Sequence, residues 1–412
     1  MVNEMRIKLG LTTQIIIGAV LGIILGAVLG SKIADIKIIG DIFLRLIQMA
    51  VIPLVFCTVI AAIGKLPIKQ LGRLGMRIVL WFTITTVIAA LVGLILGCLF
   101  HPGMGLHLTL NESLTDDIVK NKVALTDMIL EFFPTNIFEA LTQGNTIQVI
   151  IFALLFGVVL SKANTSQQYD AILTGLQQLN QLLVSLIQAV LRLAPLGIGA
   201  LMAAVTADNG LKVLIPLIKF LGIFGLGTLL FLMGLFTMIM LRAHMSLHAV
   251  LHGFANIILI AMTTTSSAAS LPVEMHDAEK RLGVGKEISE LVLPLGMALN
   301  SNGLAMYLAL ACVTMTQFYG LSLSFLMMLE IVLLAIVACL GTVAVPGGGL
   351  VALTIIVPAL GLPLESIALL AGIDWFAGIF RTTLNVVGDT TTAIMIAADE
   401  HELSQVSVSI EN

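Results

Sequence analysis

Four polar residues in the last apolar segment of the chain, Ile367–Ala398, have the types and the spacing of a binding site. They are Asp374, Arg381, Asn385 and Asp389, and at about 100° per helical residue they share one face about 80° wide. A guanidinium binds a carboxylate through two parallel hydrogen bonds, whereas the oxygen atoms of Asn385 and Asp389 suit a small hard cation. The segment therefore predicts an anion site next to a cation site, unless Arg381 only forms a structural ion pair.

Three clusters of small and polar residues interrupt the apolar segments that precede this helix. Their sequences are TTTSSAASLP at 263–272, PLGMALNSNG at 294–303 and GTVAVPGGGL at 341–350. Backbone groups without helical partners cannot face lipid, so such breaks are buried in protein or line a polar cavity. Short segments broken by glycine and proline are typical of transporter sites built from re-entrant hairpins. The alternative is that these small residues only allow close packing between helices.

The composition assigns these segments to a membrane rather than to a soluble core. Of the 412 residues, 58% are hydrophobic and only 11% are charged, whereas soluble domains carry about 25% charge. The net charge of −4 provides no basic surface for a nucleic acid. The four cysteines lie singly in apolar runs and are interpreted as small hydrophobic residues, not as disulfides or metal ligands. We therefore expect an all-α polytopic membrane protein.

Six apolar runs of about the length that spans a bilayer precede the interrupted region. They cover 13–30, 39–64, 76–100, 127–160, 173–207 and 214–241. With the N-terminus inside, 11 of the lysines and arginines fall in inner segments and 6 in outer ones, which favours this orientation by the positive-inside rule. We expect a multi-pass protein of the cell membrane (inner or plasma) with both termini in the cytoplasm.

Several motifs, in order along the chain, resemble those of the glutamate transporter family, the dicarboxylate/amino acid:cation symporters. TTSSAASLP at 264–272 resembles the tip of that family's first hairpin, GTVAVPGGG at 341–349 resembles the tip of its second hairpin, and RTTLNVVGD at 381–389 resembles its last-helix signature. PTNIFEAL at 134–141 and FHPG at 100–103 are similar to its earlier half. The resemblance implies eight transmembrane helices plus two re-entrant hairpins, inverted repeats, and a homotrimer that works as an elevator-type transporter.

The resemblance also implies a division into a fixed scaffold and a moving transport domain. The scaffold comprises helices 1 and 2 (1–75) and helices 4 and 5 (127–211). The transport domain comprises helix 3 with the following loop (76–126), then helix 6, both hairpins, helix 7 and helix 8 (212–412). The candidate binding residues then belong almost entirely to the transport domain.

The family's binding residues carry over to the matching positions of this sequence. The substrate-binding residues that the resemblance implies are Thr265, Ser266, Ser267, Val345, Gly349, Gly378, Arg381, Thr382 and Asn385. The sodium sites that it implies are Gly296, Asn300, Asn385 and Asp389 (sodium 1), carbonyl groups near Ala298, Cys339, Leu340 and Thr342 (sodium 2), and Thr85, Thr86 and Asn302 (sodium 3). The coupling ion is Na⁺, with H⁺ as the alternative, and no other cofactor is implied.

Departures from the family pattern refine these expectations. Asn302 stands where the family usually has an aspartate, and Phe82 where members can have a tyrosine, so we expect the third sodium site to be weakened or lost. Gly378 replaces the aspartate that pairs with the substrate ammonium in amino-acid-transporting members, and Leu304 removes a hydroxyl from the substrate side. Because an unpaired buried ammonium is costly, we predict a dicarboxylate substrate without an amino group, such as malate, succinate or fumarate.

The predicted function is therefore secondary active symport of an organic dicarboxylate with Na⁺ or H⁺, not an enzymatic reaction. An acidic amino acid, its ammonium held by water and carbonyl groups, is the alternative substrate, and a passive anion channel is the alternative mechanism. An intramembrane hydrolase that uses Ser266 or Ser267 is disfavoured because the sequence lacks a GxSxG motif. His244, His248 and His252 recur every four residues and are interpreted as interfacial side chains rather than as a zinc site.

Overall fold

The computed structural model describes residues 11–64, 68–106, 108, 130, 133–164, 168–341 and 348–404. Within these ranges the regular structure is helical apart from one isolated β-bridge between Val284 and Leu403, as the composition predicts. The earlier helices are α1 (Leu11–Leu29), α2 (Lys37–Gly64), α3 (Ile68–Phe100), α4 (Ile137–Gln143), α5 (Thr146–Ala163), α6 (Asp170–Leu191), α7 (Ala194–Asn209) and α8 (Leu214–Arg242). The later helices are α9 (Leu247–Thr264), α10 (Ser267–Lys280), α11 (Lys286–Leu299), α12 (Asn302–Phe318), α13 (Phe325–Gly341), α14 (Gly348–Ala359), α15 (Ser366–Ala371) and α16 (Asp374–Asp399).

The apolar sequence gives several of these helices the length and composition of membrane spans. Five helical stretches are long and apolar enough to cross a bilayer, namely Lys37–Ala61, Arg73–Phe100, Gly210–Arg242, Leu247–Thr264 and Lys286–Phe318. A sixth results if α6 and α7, which meet at a bend of 53°, form one broken span. These helices agree with the polytopic membrane protein that the composition predicts.

Two of the predicted spans are interrupted in the structure. The run 173–207 bends between α6 and α7, because Pro195 at the start of α7 has no backbone N–H to continue the helix from α6. The run 127–160 is divided between α4 and α5. Gly144 ends α4 in a left-handed conformation with φ 75°, which glycine adopts without a steric penalty, and α5 begins at Thr146.

Close backbone contacts between α1 and α7 hold one group of helices together. Gly18, Gly22 and Gly26 recur every four residues on α1, and a Cβ on any of them would collide with a backbone carbonyl of Pro195–Ala203. In lipid, small residues of this kind let two helices approach and gain van der Waals contact. Since α2 also packs on α5, α6 and α7, the helices α1, α2 and α5–α7 form one packed group.

The later helices pack around α16. α8, α9, α10, α11 and α12 all contact it, and most of its residues are buried. α12 is also buried along nearly its whole length and packs on α3, where Gly93 lies directly against the backbone of Met306. Because α16 is surrounded by protein rather than by lipid, it can carry ionised side chains at membrane depth.

Two helical hairpins pack beside α16 or close to it. The first hairpin, α9–α10, turns at Thr265 and Ser266. The second hairpin is α13–α14, and the segment 342–347 between its helices lies outside the described residues. The first hairpin packs mainly on α8, α11 and α16, whereas the second packs on α12 and also on α2 and α5. The second hairpin therefore joins the two helix groups.

Two helix boundaries in the second half differ from the sequence-based expectation. The last span, expected as one segment over 367–398, consists of α15 and α16 with a break at Gly372, which packs against the side chain of Met202 on α7. Pro272, expected to belong to the break of the first hairpin, lies inside α10. It is the sixth residue of α10, where a proline removes the one hydrogen bond that its missing N–H would make to the preceding turn.

Candidate functional site

Arg381 and Asp374 form a buried ion pair on α16. Nη1 of Arg381 donates to Oδ1 of Asp374 at 3.0 Å, and the two side chains are 10% and 8% exposed. The residues are seven positions apart, which is about two helical turns. Tyr307 of α12 also lies against Arg381, with 5.2 Å between Cζ and the ring centroid, a cation–π contact. The guanidinium is therefore enclosed by protein and does not face lipid.

The tip of the first hairpin lies beside this ion pair. A Cβ added to Gly378 of α16 would be 3.5 Å from Nη2 of Arg381 and 3.8 Å from Cβ of Thr265, so only a glycine separates the guanidinium from the hairpin. Thr265 has φ 48°, a left-handed conformation that is rare for a β-branched residue. Ser266 then caps α10 by accepting the N–H of Ala269 at 3.3 Å. The remaining first-turn N–H groups of α10 have no partner within the helix and favour an anion.

Gly349 brings the second hairpin into contact with the same ion pair. It is the second residue of α14, and a Cβ in its place would collide with the guanidinium of Arg381 and lie 2.6 Å from Oδ1 of Asp374. Only a glycine allows the backbone to approach this closely. Arg381 thus lies against the first turn of α14, and only Gly378 separates it from Thr265, which precedes α10. Val345, expected to close over the substrate, lies outside the described residues.

Asn385, which is expected with Thr382 to contact the substrate, also anchors α12 to this part of α16. Oδ1 of Asn385 accepts the N–H of Gly303 at 2.8 Å, so one end of its amide is engaged with the first turn of α12. Thr382 is buried next to Arg381. A Cβ on Gly303 would collide with the carbonyl of Arg381. The start of α12 is therefore held against the helical turn that carries the guanidinium.

Asp389 is the centre of a second polar cluster, one turn beyond Asn385. It is completely buried, its Oδ1 accepts from Nδ2 of Asn300 at 2.7 Å, and its Oδ2 has no hydrogen-bond partner in the described part of the chain. A Cβ on Gly296 would be 2.6 Å from Cγ of Asp389. Nδ2 of Asn300 also lies 3.5 Å from the carbonyl oxygen of Asn385. The structure thus brings together the four residues of the sodium 1 set.

Two of the three residues of the sodium 3 set join this cluster. Oγ1 of Thr86 on α3 donates to Oδ1 of Asn302 at 3.2 Å and is 3.5 Å from Oδ1 of Asn300. Thr85 instead donates to the carbonyl of Trp81 at 3.0 Å within α3, so its hydroxyl is directed at its own helix. Nδ2 of Asn302 has no partner among the described residues. A neutral amide thus stands where a carboxylate would attract a cation more strongly.

The sodium 2 set lies at the break between α11 and α12 only in part. Sγ of Cys339, near the end of α13, is 3.7 Å from the carbonyl oxygen of Ser301, which brings the second hairpin to this break. Ala298 is exposed in the last turn of α11. Leu340 follows Cys339 in α13, and Thr342 lies outside the described residues. Cys339 is the member of this set whose side chain the structure brings to the break.

Two buried residues of these clusters were not identified from the sequence. Tyr307 is a single tyrosine in an apolar helix, a pattern typical of core packing. Glu274 lies in the polar stretch of α10, is buried, and accepts the hydroxyl of Thr390 at 3.0 Å through Oε1. The one signal for Glu274 is its spacing of four from Ser270 and seven from Ser267, which places it on the helix face that begins at the hairpin tip.

Comparison with known families and proteins gives matches along almost the whole chain. The family described as "Sodium:dicarboxylate symporter family" matches residues 11–399. The chain is 34% identical over 376 residues to the "Proton/glutamate-aspartate symporter" of Bacillus subtilis (strain 168), which is 89% of either chain. It is 32% identical over 404 residues to the "Proton/sodium-glutamate symport protein" of the same strain, covering 95% of this chain and 93% of the relative. It is 29% identical over 407 residues to the "C4-dicarboxylate transport protein" of Anaeromyxobacter sp. (strain K), covering 97% and 92%.

Proposed function

Because the chain belongs to the sodium:dicarboxylate symporter family, we propose that it carries an organic dicarboxylate such as malate, succinate or fumarate across the cell membrane together with Na⁺. Cation-coupled symport, rather than catalysis, follows from the family and from the similar symporters. The substrate and the ion are our proposal. The observation that carries it is that Arg381 is buried, lies against the backbone of the second hairpin at Gly349, and is separated from Thr265 of the first hairpin only by Gly378.

Arg381 supplies the positive charge that an anionic substrate needs inside the membrane. A guanidinium has five N–H donors, and Asp374 accepts from Nη1, so further donors are available for a substrate carboxylate. The first turns of α10 and α14 add backbone N–H groups and the positive ends of two helix dipoles. One carboxylate then binds Arg381 and the other binds the backbone near Ser266 and Ser267. Thr382 and the amide of Asn385 complete the contacts.

The surroundings of Gly378 support a substrate without an amino group. Its position lies between Arg381 and Thr265 and offers no carboxylate to a substrate ammonium. The nearest acid to Arg381, Asp374, already pairs with it. A buried ammonium without its own partner is costly, so a dicarboxylate is the better match.

An acidic amino acid is the second candidate substrate. Two of the similar relatives are named as symporters of glutamate or of glutamate and aspartate. When such a substrate binds, Asp374 releases Arg381 and pairs with the substrate ammonium. The distal carboxylate of the substrate then pairs with the guanidinium of Arg381. The two candidates therefore differ in what they require of Asp374.

The cluster around Asp389 supports cation coupling. Its carboxylate and carbonyl oxygens are the ligands that hard cations prefer, and a cation there fixes the break between α11 and α12 through Asn300. The first turn of α12 is in turn held by Asn385 next to Arg381. Cation and substrate thus stabilise the same arrangement of α12 and α16, which is the condition for coupling between two sites. We propose Na⁺ as the ion, with H⁺ as the alternative.

The packing supports an elevator mechanism with eight transmembrane helices and two re-entrant hairpins. The scaffold we propose (1–75 and 127–211) contains the group α1, α2 and α5–α7, and the transport domain (76–126 and 212–412) contains α3 from residue 76 onward and α8–α16. One contact between them is the exposed ion pair of Lys37 and Glu365 at 2.8 Å, and such pairs contribute only about 0–1 kcal/mol. We further propose a homotrimer with both termini in the cytoplasm.

Uptake into proteoliposomes tests the function. Radiolabelled succinate or aspartate is offered to the reconstituted protein under an inward Na⁺ gradient, an inward proton gradient, or neither. We expect concentrative uptake of succinate that requires Na⁺ and is abolished by Arg381→Ala. Uptake of aspartate but not of succinate would support the second candidate substrate. Uptake driven by the proton gradient alone would show that the coupled ion is H⁺ and not Na⁺. Current that depends on substrate but gives no accumulation would indicate a passive anion channel.

A further inference from the structure

Glu274 is a second buried carboxylate beside Asp389. It lies on α10, is 1% exposed, and accepts a hydrogen bond from Oγ1 of Thr390 at 3.0 Å. Thr390 directly follows Asp389 on α16, so this hydrogen bond places Glu274 against the turn of α16 that carries Asp389. Glu274 belongs to none of the three sodium sets that the resemblance implies. Its role in the transport domain therefore needs a separate explanation.

The charges of Glu274 and Asp389 have no basic partner in the described part of the chain. The two other buried acids, Asp277 and Asp374, each pair with an arginine, at 3.3 Å and 3.0 Å. No lysine, arginine or histidine among the described residues forms an ion pair with Glu274 or with Asp389. Buried charges are strongly unfavourable unless they are paired or coordinate a metal ion. A proton or a bound cation therefore has to neutralise these two buried carboxylates.

Oδ2 of Asp389 is a second indication of a ligand, and the sodium 1 ion would share this carboxylate with any further ion, because Asp389 also belongs to the sodium 1 set. Oδ1 of the same carboxylate accepts from Asn300, whereas Oδ2 is fully buried and has no hydrogen-bond partner among the described residues. A buried carboxylate oxygen without a donor is costly, and a bound cation removes that cost. The carboxylates of Glu274 and Asp389 and the hydroxyl of Thr390 are hard oxygen ligands of the kind that Na⁺ takes.

We propose that Glu274, Asp389 and Thr390 hold a sodium ion of their own, in addition to the sodium 1 and sodium 2 ions. The proposal rests on the proposed function, because it assigns one more coupled ion to the same transport cycle. It also accounts for Asn302, whose neutral amide weakens the sodium 3 set. The negative charge missing at that position is supplied from the first hairpin by Glu274.

The proposed site changes the number of coupled ions rather than the ability to transport. Glu274→Gln removes one negative charge together with the sodium ion that neutralises it, so the net charge of the loaded transport domain stays the same. The amide oxygen of glutamine still accepts the hydroxyl of Thr390, which preserves the packing of α10 on α16. We therefore expect uptake to continue with one fewer Na⁺ per substrate.

Steady-state accumulation measures this stoichiometry. Proteoliposomes with wild-type protein, Glu274→Gln or Glu279→Gln are held at zero membrane potential under an inward Na⁺ gradient of about tenfold, and the ratio of internal to external substrate is determined. Glu279 lies on the same helix as Glu274 but is only partly buried, so it is the matched control. At this gradient each coupled ion multiplies the ratio by about ten. We expect the ratio to fall about tenfold in Glu274→Gln and to stay unchanged in Glu279→Gln.

Thermal stability in the absence of substrate provides a readout that does not require transport. Ions that bind the native state raise Tm with increasing concentration, so Tm is measured against Na⁺ concentration, with choline chloride keeping the ionic strength constant. We expect the rise of Tm to be shallower in Glu274→Gln than in the wild type and in Glu279→Gln. Glu274→Asp keeps the charge on a shorter side chain and should need a higher Na⁺ concentration for the same rise.

Equal accumulation ratios and equal Na⁺ dependence of Tm in wild type and Glu274→Gln would overturn the proposal. The accumulation ratio of the wild type could instead depend on the proton gradient, with that dependence lost in Glu274→Gln. This result would show that Glu274 binds a proton and not Na⁺, and it would overturn the proposal. If Glu274→Gln does not fold, Glu274→Asp provides the test. A Na⁺ dependence of Tm in Glu274→Asp equal to that of the wild type would overturn the proposal. If the wild-type protein takes up no substrate, the proposed function fails, and the Na⁺ dependence of Tm still decides whether Glu274 binds an ion.

Discussion

Arg381 donates a hydrogen bond to Asp374, which lies two turns earlier on α16, over a distance of 3.0 Å. The backbone of Gly349 lies directly against this ion pair. Asp374 thus neutralises the buried arginine, because an unpaired guanidinium inside the protein would be strongly unfavourable. It also occupies part of the guanidinium to which we propose that the substrate binds. If the substrate carboxylate binds Arg381 as we propose, Asp374 competes with it.

Asp374→Asn should lower the stability of the substrate-free protein and strengthen the binding of succinate. Breaking a buried ion pair by removing one partner costs about 3–5 kcal/mol, and a substrate carboxylate restores the lost partner. We therefore expect a lower Tm without substrate and a larger increase of Tm on addition of succinate. Thermal-shift titration of the purified variant measures both quantities.

Asp374→Glu is the control for this variant because it keeps the charge on a longer side chain. Loss of aspartate binding in Asp374→Asn, with succinate binding also absent, would contradict the dicarboxylate assignment. It would indicate instead that Asp374 holds a substrate ammonium.

Gly349→Ala should reduce uptake without preventing insertion of the protein into the membrane. The added methyl group would overlap the guanidinium of Arg381 and come within 2.6 Å of Oδ1 of Asp374, so either the second hairpin or the ion pair has to move. Overpacking of this kind costs about 1–3 kcal/mol, which corresponds to a decrease of about 5- to 150-fold in substrate affinity if the cost falls on the substrate-bound state. Initial uptake rates over a range of substrate concentrations give this quantity.

Gly234→Ala is the matched control for this steric argument. Gly234 lies on α8, and a Cβ there would meet no atom within 4 Å. Equal uptake by the two variants would show that the second hairpin does not close over Arg381.

The main elements of the fold and of the site could be predicted from local sequence patterns. The spacing of Asp374, Arg381, Asn385 and Asp389 placed them on one helix face, because a helix repeats every 3.6 residues. The break at Asn300 was predictable because small and polar residues interrupt an apolar run. The helix boundary at Gly372 was not predictable, because it depends on packing against another helix.

Glu274 and Tyr307 could not be predicted because tertiary contacts determine their roles. The hydrogen bond of Glu274 joins residues that are 116 positions apart, and the polar sequence around it is typical of a solvated helix face. Tyr307 looks like a core residue until the ring is found 5.2 Å from Arg381. Patterns within one helix indicate which residues share a face, but not which partner that face meets.

Gly378→Asp should shift the substrate preference from succinate towards aspartate. The new carboxylate would extend from a position 3.5 Å from Nη2 of Arg381, where it can pair with a substrate ammonium. A hydrogen bond to a charged group contributes about 1.5–3 kcal/mol, so we expect the affinity ratio of aspartate to succinate to rise about tenfold or more. Competition of each compound with radiolabelled substrate measures the ratio. Gly378→Ala adds only a methyl group and is the control, and an unchanged competition profile in Gly378→Asp would contradict this assignment.

Asn302→Asp should restore the ion coupling that Glu274→Gln removes. Both positions belong to the polar cluster around Asp389, since Thr86 joins Asn302 and Asn300 through distances of 3.2 Å and 3.5 Å and Asn300 donates to Asp389. A carboxylate at position 302 returns one negative charge to this cluster and can still accept the hydroxyl of Thr86. The double variant Glu274→Gln/Asn302→Asp should therefore recover the factor of about ten in accumulation ratio that the single variant loses.

A neutral change at the same position separates this charge effect from a change in packing. Glu274→Gln/Asn302→Ser alters the same two side chains but returns no charge, so its accumulation ratio should stay as low as that of Glu274→Gln alone. Recovery in both double variants would mean that packing around Asn302, not charge, limits coupling. Recovery in neither would mean that a carboxylate at position 302 cannot replace Glu274, because the ion depends on the geometry of α10 against Thr390 rather than on the total charge of the cluster.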